Sequence, residues 1–259
     1  SRGYGRATHT VEVLDPKVSH SAKLVGDEPA WLIQQTQCPM AVGANRLQAF
    51  QALIGRHPDL DLVVSDDGLQ HWALPRTLEW AVFDNRLAGN CKLLPLGPLR
   101  EPLSRLATVD AVVASNMPAR TLESLMPPNS DNVPRVELIL QVKGLRHLAT
   151  QTLINVTQAQ TAFAGKSMRA LTGLGNPAKF FNLLKDLNLG PFEQLALPDH
   201  FDYPEQFCAS FGEEVLLTTG KDAVKLNQSD PRLWVVEINM DLPKPLMEQL
   251  EKRIGRQLD

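Results

Sequence analysis

Short apolar runs alternate with amphipathic stretches through the first half of the chain. At residues 46–56 the apolar positions recur at helical spacing, and Pro29 predicts the first turn of a helix at 28–35. Strands buried on both faces and separated by helices are typical of a parallel sheet with βαβ crossovers, so this half predicts an α/β fold. The apolar runs of strand length lie at residues 11–14, 39–42, 60–64, 78–83 and 111–114.

The pattern changes in the second half. Residues 117–134 are rich in Pro, Ser and Asn around one short helical stretch at 121–126. An extended stretch at 136–148, interrupted at Lys143 and Gly144, then predicts a β-linker. Beyond it we expect strands and helices again, the strands at 167–171, 215–218 and 233–238 and the helices at 178–187 and 243–257.

These changes divide the chain into three parts. We predict a core domain with a mostly parallel sheet at residues 1–135, a β-linker at 136–149 and a smaller α/β domain at 150–259.

Composition narrows the class of protein. With 43% hydrophobic and 21% charged residues among 259, the chain is globular, and a net charge of -3 with a pI near 6.1 argues against nucleic acid as its main partner. The three cysteines form no Cys-x-x-Cys pair, which fits a reducing compartment and neither a disulfide framework nor a zinc site. No apolar run approaches the ~18 residues that cross a bilayer, and no signal peptide is visible. Residues 1–6 resemble a loop inside a domain, so we expect the chain to be a fragment.

Two adjacent acids, Asp66 and Asp67, follow the strand predicted at 60–64. Ligands collect at the carboxyl ends of strands in open α/β sheets, and two carboxylates there can hold a Mg²⁺ ion that carries nucleotide phosphates. The usual companion, a Gly-rich loop ending in Gly-Lys-Ser/Thr after a strand, is not found in this chain. The alternative is a solvated Asp-Asp-Gly turn, and the preceding strand is what favours the metal site.

Asp27 and His200 are candidates for proton transfer. Asp27 stands just before the helix at 28–35, where either it or Glu28 could simply interact with the helix dipole. His200 lies in a loop after Asp199. An Asp–His pair commonly raises the basicity of the group that accepts a substrate hydroxyl proton, but the sequence does not show that the two side chains touch.

A proline-rich loop at 94–102 holds Arg100 and Glu101. Arginine is suited to bidentate phosphate binding because its guanidinium is planar. The alternative is a surface loop in which Arg100 and Glu101 only pair with each other. His71, which ends the same segment as Asp66 and Asp67, is a further candidate for a binding role. The alternative is a histidine that only packs on Trp72.

Three glycine-containing segments need separate treatment. Gly-Lys-Ser at 165–167 ends like a phosphate loop but precedes a predicted strand, and the segment at 173–178 carries a proline inside a dinucleotide-like pattern. We reject both as nucleotide loops and keep the second as a turn before a helix. Gly-Lys-Asp at 220–222 is either an anion contact or a plain helix start.

Together the motifs resemble one family, the tetraacyldisaccharide 4'-kinases of lipid A biosynthesis. SDDGLQH together with GPLREP is the most specific combination. The matching segments occur in family order over nearly the whole chain and are SRGYGR (1–6), VGDEP (25–29), SDDGLQH (65–71), LLPLGPLREPLSRL (93–106), GLGNPAKFF (173–181), LPDHFDY (197–203) and TTGKDAVK (218–225).

The resemblance implies ATP- and Mg²⁺-dependent phosphorylation of the 4'-hydroxyl of a tetraacyldisaccharide 1-phosphate, a lipid A precursor. It also implies a P-loop-NTPase-like three-layer core, the smaller α/β domain, and work at the cytoplasmic face of the bacterial inner membrane. Asp27 and His200 would form the catalytic dyad, with Asp27 closest to the accepting hydroxyl, and Asp66 and Asp67 would serve the Mg²⁺ and phosphate region. The residues implied to line the lipid headgroup cleft are Gln70, His71, Arg100 and Glu101, with Arg46 as a further candidate.

Two departures from the family affect these expectations. The family's membrane-associated helix and its Walker A loop would precede Ser1, so we expect this chain to bind ATP poorly and to turn over little substrate. Gly220 stands where the family more often has Glu. A non-catalytic remnant or binding module that keeps the fold without the nucleotide site is therefore an alternative, and a P-loop-like kinase for a small polar substrate is another.

Overall fold

The computed structural model describes residues 10–18 and 20–255. The predicted loop at 1–6 and the last residues of the helix predicted at 243–257 lie outside this part of the chain. Its strands are β1 (Glu12–Leu14), β2 (Met40–Val42), β3 (Trp80–Phe83), β4 (Ala111–Ser115), β5 (Arg135–Leu138), β6 (Gln141–His147), β7 (Leu153–Ile154), β8 (Met168–Thr172), β9 (Glu193–Ala196), β10 (Val215–Thr219) and β11 (Leu233–Asn239). Its α-helices are α1 (Ala22–Val25), α2 (Asp27–Thr36), α3 (Arg46–Arg56), α4 (Val156–Phe163), α5 (Pro177–Asp186), α6 (Gly220–Ala223) and α7 (Lys244–Ile254), and 3₁₀ helices occupy Leu103–Thr108, Ala119–Leu125 and Phe207–Phe211.

The chain forms two compact units, each assembled from two stretches of sequence. The first takes in the described residues up to Pro58 together with Val142–Ile238, and the second takes in Asp59–Gln141 together with the described residues from Asn239 onward. The division into a core domain, a β-linker at 136–149 and a smaller domain stays a prediction. The compact units differ from them because the first unit also includes the N-terminal helices and the second includes α7.

A six-stranded sheet in the order β7-β6-β11-β10-β8-β9 organises the first unit. Its strands β11, β10, β8 and β9 run parallel. Alternate residues of β10 enter two different hydrophobic clusters, with Leu217 packed among residues that include Phe181 and Leu216 among residues that include Leu171. The parallel strands are thus covered on both faces, as the apolar runs predict.

The helices α2 and α3 flank a smaller antiparallel pair, β1 and β2, in the same unit. Ala30 and Ile33 of α2 are buried against Leu14 and Val42 of this pair. This packing fixes α2 along its length, and with it the position of the residue at its first turn.

The second unit contains three parallel strands in the order β3-β4-β5. Helix α7 belongs to this unit because Leu246 is buried with Ala111 and Val113 of β4. Gln249 reinforces the contact, since its Oε1 accepts a hydrogen bond from Trp80 Nε1 (2.9 Å) and its Nε2 donates to the carbonyl of Asp110 (2.8 Å).

The strand predicted at 60–64 is wrong. These residues form no strand, and the side chains of Leu62 and Val64 are 43% and 83% exposed. An apolar run becomes a strand only when a neighbour completes its hydrogen bonds, and no strand of the described chain pairs with this run.

The break in the extended stretch is also misplaced by the sequence pattern. It falls at Ile139 and Leu140, between β5 and β6, whereas Lys143 and Gly144 lie inside β6. Gly144 has a φ of 156°, and a Cβ there would stand 2.2 Å from the carbonyl oxygen of Ile154 on the neighbouring β7. The glycine therefore permits close strand pairing at this position.

Candidate active site

The loops that follow parallel strands of the first unit form a polar cluster. The turn after β8 leads into α5, the loop after β9 contains His200, and β10 continues directly into α6. Because these strands are parallel, their carboxyl ends lie at one edge of the sheet, which is where ligands bind in α/β folds. The first residue of α2, Asp27, reaches the same cluster through its side chain.

Asp27 is held at the start of α2 by an unusual residue before it. Gly26 has a φ of 97°, a conformation that side chains with a Cβ rarely adopt. Helix α1 ends directly before Gly26, and α2 begins directly after it with Asp27. The side chain of Asp27 is only 12% exposed.

His200 contacts Asp27 directly. Its Nδ1 lies 3.0 Å from Asp27 Oδ2, and since an ionised carboxylate only accepts, the ring donates from Nδ1. The backbone of His200 has a φ of 59° and is held by its N–H, which donates to Asp199 Oδ1 (3.1 Å) and to the carbonyl of Gly173 (3.3 Å). The structure therefore brings together the two residues that the sequence could only pair by type.

Lys225 is the third member of the cluster, and the sequence reasoning did not assign it a role. Its Nζ donates to Asp27 Oδ2 and to the carbonyl of Phe201, each at 2.9 Å. The side chain is 9% exposed. Lys225 closes the TTGKDAVK segment of the family resemblance, but nothing in the residue pattern distinguishes it from a solvated lysine.

Asp222 is a buried carboxylate that supports the cluster through its hydrogen bonds. It accepts hydrogen bonds from Thr172 Oγ1 (2.8 Å), Thr219 Oγ1 (2.8 Å), Gly173 N–H (3.0 Å) and Tyr203 O–H (3.0 Å). Burial, followed by the charge of Asp222, raises the pKa of Tyr203, so the phenol stays protonated and donates. The Gly-Lys-Asp segment at 220–222 is thus the start of a helix, and its acid joins β8, β10 and the loop after β9.

The two rejected glycine segments lie where the sequence places them. Gly165 belongs to the turn between α4 and β8, so Gly-Lys-Ser precedes a strand. The glycines at 173 and 175 form the turn between β8 and α5, and the backbone carbonyl of Gly173 contacts His200. That turn supports the loop that carries His200.

Asp66 and Asp67 lie in an exposed turn of the second unit, and Asp67 has a φ of 51°. The strand that favoured a metal site over a turn is not formed, so the preference for the metal site loses that support. Arg76 fixes the turn instead, since its guanidinium donates to the carbonyls of Gly68 (3.3 Å), Leu69 (2.9 Å) and His71 (3.0 Å).

Three of the residues predicted to bind the headgroup contact one another in the second unit. Gln70 Nε2 donates to Glu101 Oε1 (2.7 Å), and Arg100 Nη1 donates to Gln70 Oε1 (3.3 Å). Glu101 also pairs with Arg105, whose Nε lies 3.4 Å from Glu101 Oε2. The loop is therefore connected to the SDDGLQH turn through Gln70. Arg100 and Glu101 bond to Gln70 and Arg105 rather than to each other, unlike the alternative in which they only form a pair.

The remaining predicted residues lie apart from these contacts. His71 is half-buried at the end of the same turn, and its backbone carbonyl accepts a hydrogen bond from Arg76 Nη2. Arg46 is buried at the first residue of α3 in the first unit, where Nη1 donates to the carbonyl of Gly43 (3.4 Å).

The donor chemistry of Asp66 and Asp67 fits the implied Mg²⁺. Within the described residues no group of three or more His, Cys, Asp or Glu side chains is arranged to hold a metal ion. Mg²⁺ does not need such a group, because it is usually bound by one or two carboxylates and completes its shell with waters and phosphate oxygens. None of the described helices has the length and apolar character to span a membrane.

Comparison with known proteins adds the family. The family model described as LpxK, Tetraacyldisaccharide-1-P 4'-kinase, matches residues 1–255. The tetraacyldisaccharide 4'-kinase of Herminiimonas arsenicoxydans is 38% identical over 98% of this chain and 72% of its own length, and that of Bordetella petrii has the same identity and coverage. A crystal structure of LpxK from Aquifex aeolicus in complex with ATP matches with a TM-score of 0.75 and 24% identity, covering 98% of this chain and 76% of that one.

The structural likeness shows a shared α/β fold with parallel sheets, and the sequence matches show common descent over nearly the whole chain. This chain belongs to the tetraacyldisaccharide 4'-kinase family.

Proposed function

We propose that the protein transfers the γ-phosphoryl group of ATP to the 4'-hydroxyl of a tetraacyldisaccharide 1-phosphate, giving the 4'-phosphate, ADP and a proton. The observation that carries this proposal is the hydrogen bond between Asp27 Oδ2 and His200 Nδ1 at 3.0 Å. It places a half-buried histidine against a carboxylate at the ligand-binding edge of the sheet, in a chain of a lipid kinase family.

In this proposal Asp27 takes the proton of the accepting hydroxyl. The hydrogen bonds that the described residues make with its carboxylate both reach Oδ2, which leaves Oδ1 for the substrate. His200 holds the carboxylate in orientation through Nδ1–H. Phosphoryl transfer needs little covalent chemistry, so a base that orients the attacking oxygen at the correct distance supplies much of what the acceptor side requires.

Asp66 and Asp67 are the residues that we assign to Mg²⁺, which when bound would neutralise charge on the phosphates of ATP. We assign the lipid headgroup to Gln70, His71, Arg100 and Glu101, and a weaker role there to Arg46. The guanidinium of Arg100 is exposed and is suited to a phosphate such as the 1-phosphate of the substrate.

The finer parts of the family expectation belong to the same proposal. They are a P-loop-NTPase-like three-layer core at 1–135, a β-linker at 136–149, a smaller α/β domain at 150–259, and action at the cytoplasmic face of the bacterial inner membrane. The lipid substrate supports the membrane location, because a tetraacylated disaccharide resides in a bilayer.

The test is a 4'-kinase assay with ATP and tetraacyldisaccharide 1-phosphate, using the full product of the gene that encodes this chain. Asp27→Ala and His200→Ala should each lower kcat by about 10²-fold to 10⁴-fold, the usual contribution of a positioned acid or base. The Kd for ATP should change by less than about threefold, because neither side chain is assigned to the nucleotide.

Asp186→Asn is the matched control, since this exposed acid on α5 belongs to the same unit and should leave kcat unchanged. Near-normal turnover of both dyad variants would remove them from the mechanism. A wild-type protein that binds the lipid without phosphorylating it would replace the proposal with a binding module.

A further inference from the structure

We propose that Lys225 is a positioning residue of the phosphoryl-transfer site, which fixes Asp27 and the loop of His200 in one arrangement. The inference rests on the proposed function, because it assigns Lys225 to the same reaction. Its basis is a single ammonium group that contacts both sides of the Asp27–His200 pair.

The contact with Asp27 is the first half of this arrangement. Lys225 Nζ donates to Asp27 Oδ2 at 2.9 Å, the same oxygen that His200 Nδ1 reaches at 3.0 Å. Two donors on one oxygen restrict rotation of the carboxylate, and one of them is a full positive charge, which makes the hydrogen bond shorter and stronger than a neutral one. Asp27 therefore presents one defined oxygen to a substrate hydroxyl.

The contact with the loop after β9 is the second half. Nζ also donates to the carbonyl of Phe201 at 2.9 Å, and Phe201 is the residue that follows His200. The same ammonium thus ties the start of α2 to the backbone beside the histidine, independently of the bond between the two dyad side chains. Loss of Lys225 would release both members at once.

Lys225 is itself held in place from behind. Its Nζ lies 5.4 Å from the centre of the Tyr203 ring, within the range of a cation–π contact. Tyr203 donates to the buried Asp222 at 3.0 Å, and Asp222 is bound in turn to the ends of β8 and β10. The lysine is therefore anchored to the sheet, and this rigid support distinguishes it from a surface lysine that happens to reach a carboxylate.

Kinetics of Lys225 variants in the full gene product test the positioning role. Lys225→Met should lower kcat by about 10²-fold, the usual effect of a small misplacement of reacting groups, while KM for ATP changes by less than about threefold. Lys225→Arg, which keeps the charge and can reach the same oxygens, should restore at least about a tenth of wild-type kcat. Lys185→Met, an exposed lysine of α5 in the same unit, is the control and should match the wild type.

A stability cycle tests the pairing without any kinase activity, so a failure here is separable from a failure of the proposed function. Lys225→Met leaves a largely buried carboxylate without its cation and should lower Tm by roughly 6 °C or more. In the Asp27→Asn background the same substitution should cost less than about half of that shift, because the charge it compensates is gone.

Two outcomes would overturn the inference. Equal Tm losses from Lys225→Met in both backgrounds would show that Lys225 does not pair with Asp27. Lys225→Met with wild-type kcat would show that the pairing has no part in positioning. A wild-type protein without kinase activity, combined with a strong stability coupling, would contradict the proposed function and the catalytic part of this inference but preserve the ion pair.

Discussion

Gly220 shows how a single residue without a side chain can be required by packing. A Cβ at this position would stand 2.2 Å from Nε1 of Trp31, an atom of α2 packed on the start of α6. The family resemblance leads us to expect Glu more often than Gly at position 220. In this chain the indole of Trp31 fills the space that a side chain at 220 would need, so the contact between α2 and α6 requires a glycine here.

Gly220→Ala should therefore destabilise the protein by about 1–3 kcal/mol, the usual cost of overpacking. Gly55→Ala is the matched control, because a methyl group added at Gly55 in α3 would meet no other atom within 4 Å and should gain about 0.5–1 kcal/mol from helix propensity. Urea denaturation monitored by circular dichroism measures both. Equal effects of the two substitutions would contradict the close contact with Trp31.

Asp230 and Arg232 form a pair whose effect on stability depends on pH. Hydrogen bonds from the Arg232 guanidinium hold the pKa of Asp230 below its usual value, and Arg232 also donates to the carbonyls of Cys208 and Gly212. A carboxyl whose pKa is lowered by folding stabilises the native state at pH values above its unfolded pKa. That stabilisation is lost as the pH falls through the folded pKa.

Asp230→Asn should cost about 1–3 kcal/mol at pH 7, because it removes a buried carboxylate that accepts hydrogen bonds from the half-buried Arg232. The difference between wild type and variant should shrink once the pH falls below about 4, where the carboxyl of the unfolded chain binds a proton before that of the folded chain. Denaturant titrations at pH 7 and at pH 3 provide the comparison. A difference that does not change with pH would argue that the charge of Asp230 is unimportant.

At the scale of elements, the SDDGLQH turn depends on one arginine. Arg76 donates to three carbonyls of residues 68–71 and also pairs with Glu79, at 2.5 Å. The ring of Trp72 lies near the guanidinium groups of both Arg76 and Arg105, at 5.3 and 5.1 Å. The predicted strand before the turn is not formed, and these contacts hold the backbone of the turn in one conformation instead.

Arg76→Ala should lower the free energy of unfolding by about 2 kcal/mol, because it leaves Glu79 and the turn carbonyls with fewer partners. Amide hydrogen exchange of residues 66–74 should accelerate in the variant, since the turn loses its cross-link. Arg86→Ala, which removes an exposed pair with Asp84, should change stability by less than about 0.5 kcal/mol. Unchanged exchange in the turn would show that Arg76 does not fix it.

The elements also show what the sequence pattern can and cannot supply. Helix α3 has the predicted bounds because its apolar spacing and its cap agree, with the side chain of Asn45 accepting from Gln48 N–H. Helix α4 was missed although Asn155 and Gln158 form a capping box, a readable signal. The strand at 60–64 was wrong because pairing depends on a partner strand, which no local pattern contains.

At the scale of the whole molecule, the pattern identified an α/β fold but not how distant segments combine. Residue type suggested a pair of Asp27 and His200, but no local pattern can show a contact between residues that are 173 positions apart. Lys225 was missed for a related reason. Its partners are a carboxylate 198 positions away and a backbone carbonyl, and neither leaves a periodic trace in the sequence.

The interleaving of the two units has a consequence for synthesis of the protein. The first unit contains Asp27 near its beginning and His200 and Lys225 near its end, with most of the second unit encoded between them. On the ribosome, α2 emerges before the strands whose loops hold its carboxylate, because His200 and Lys225 follow Asp27 by 173 and 198 positions. The cluster of Asp27, His200 and Lys225 therefore cannot form until residue 225 has been made, and a polypeptide that stalls before it would carry Asp27 without the hydrogen bond from Lys225.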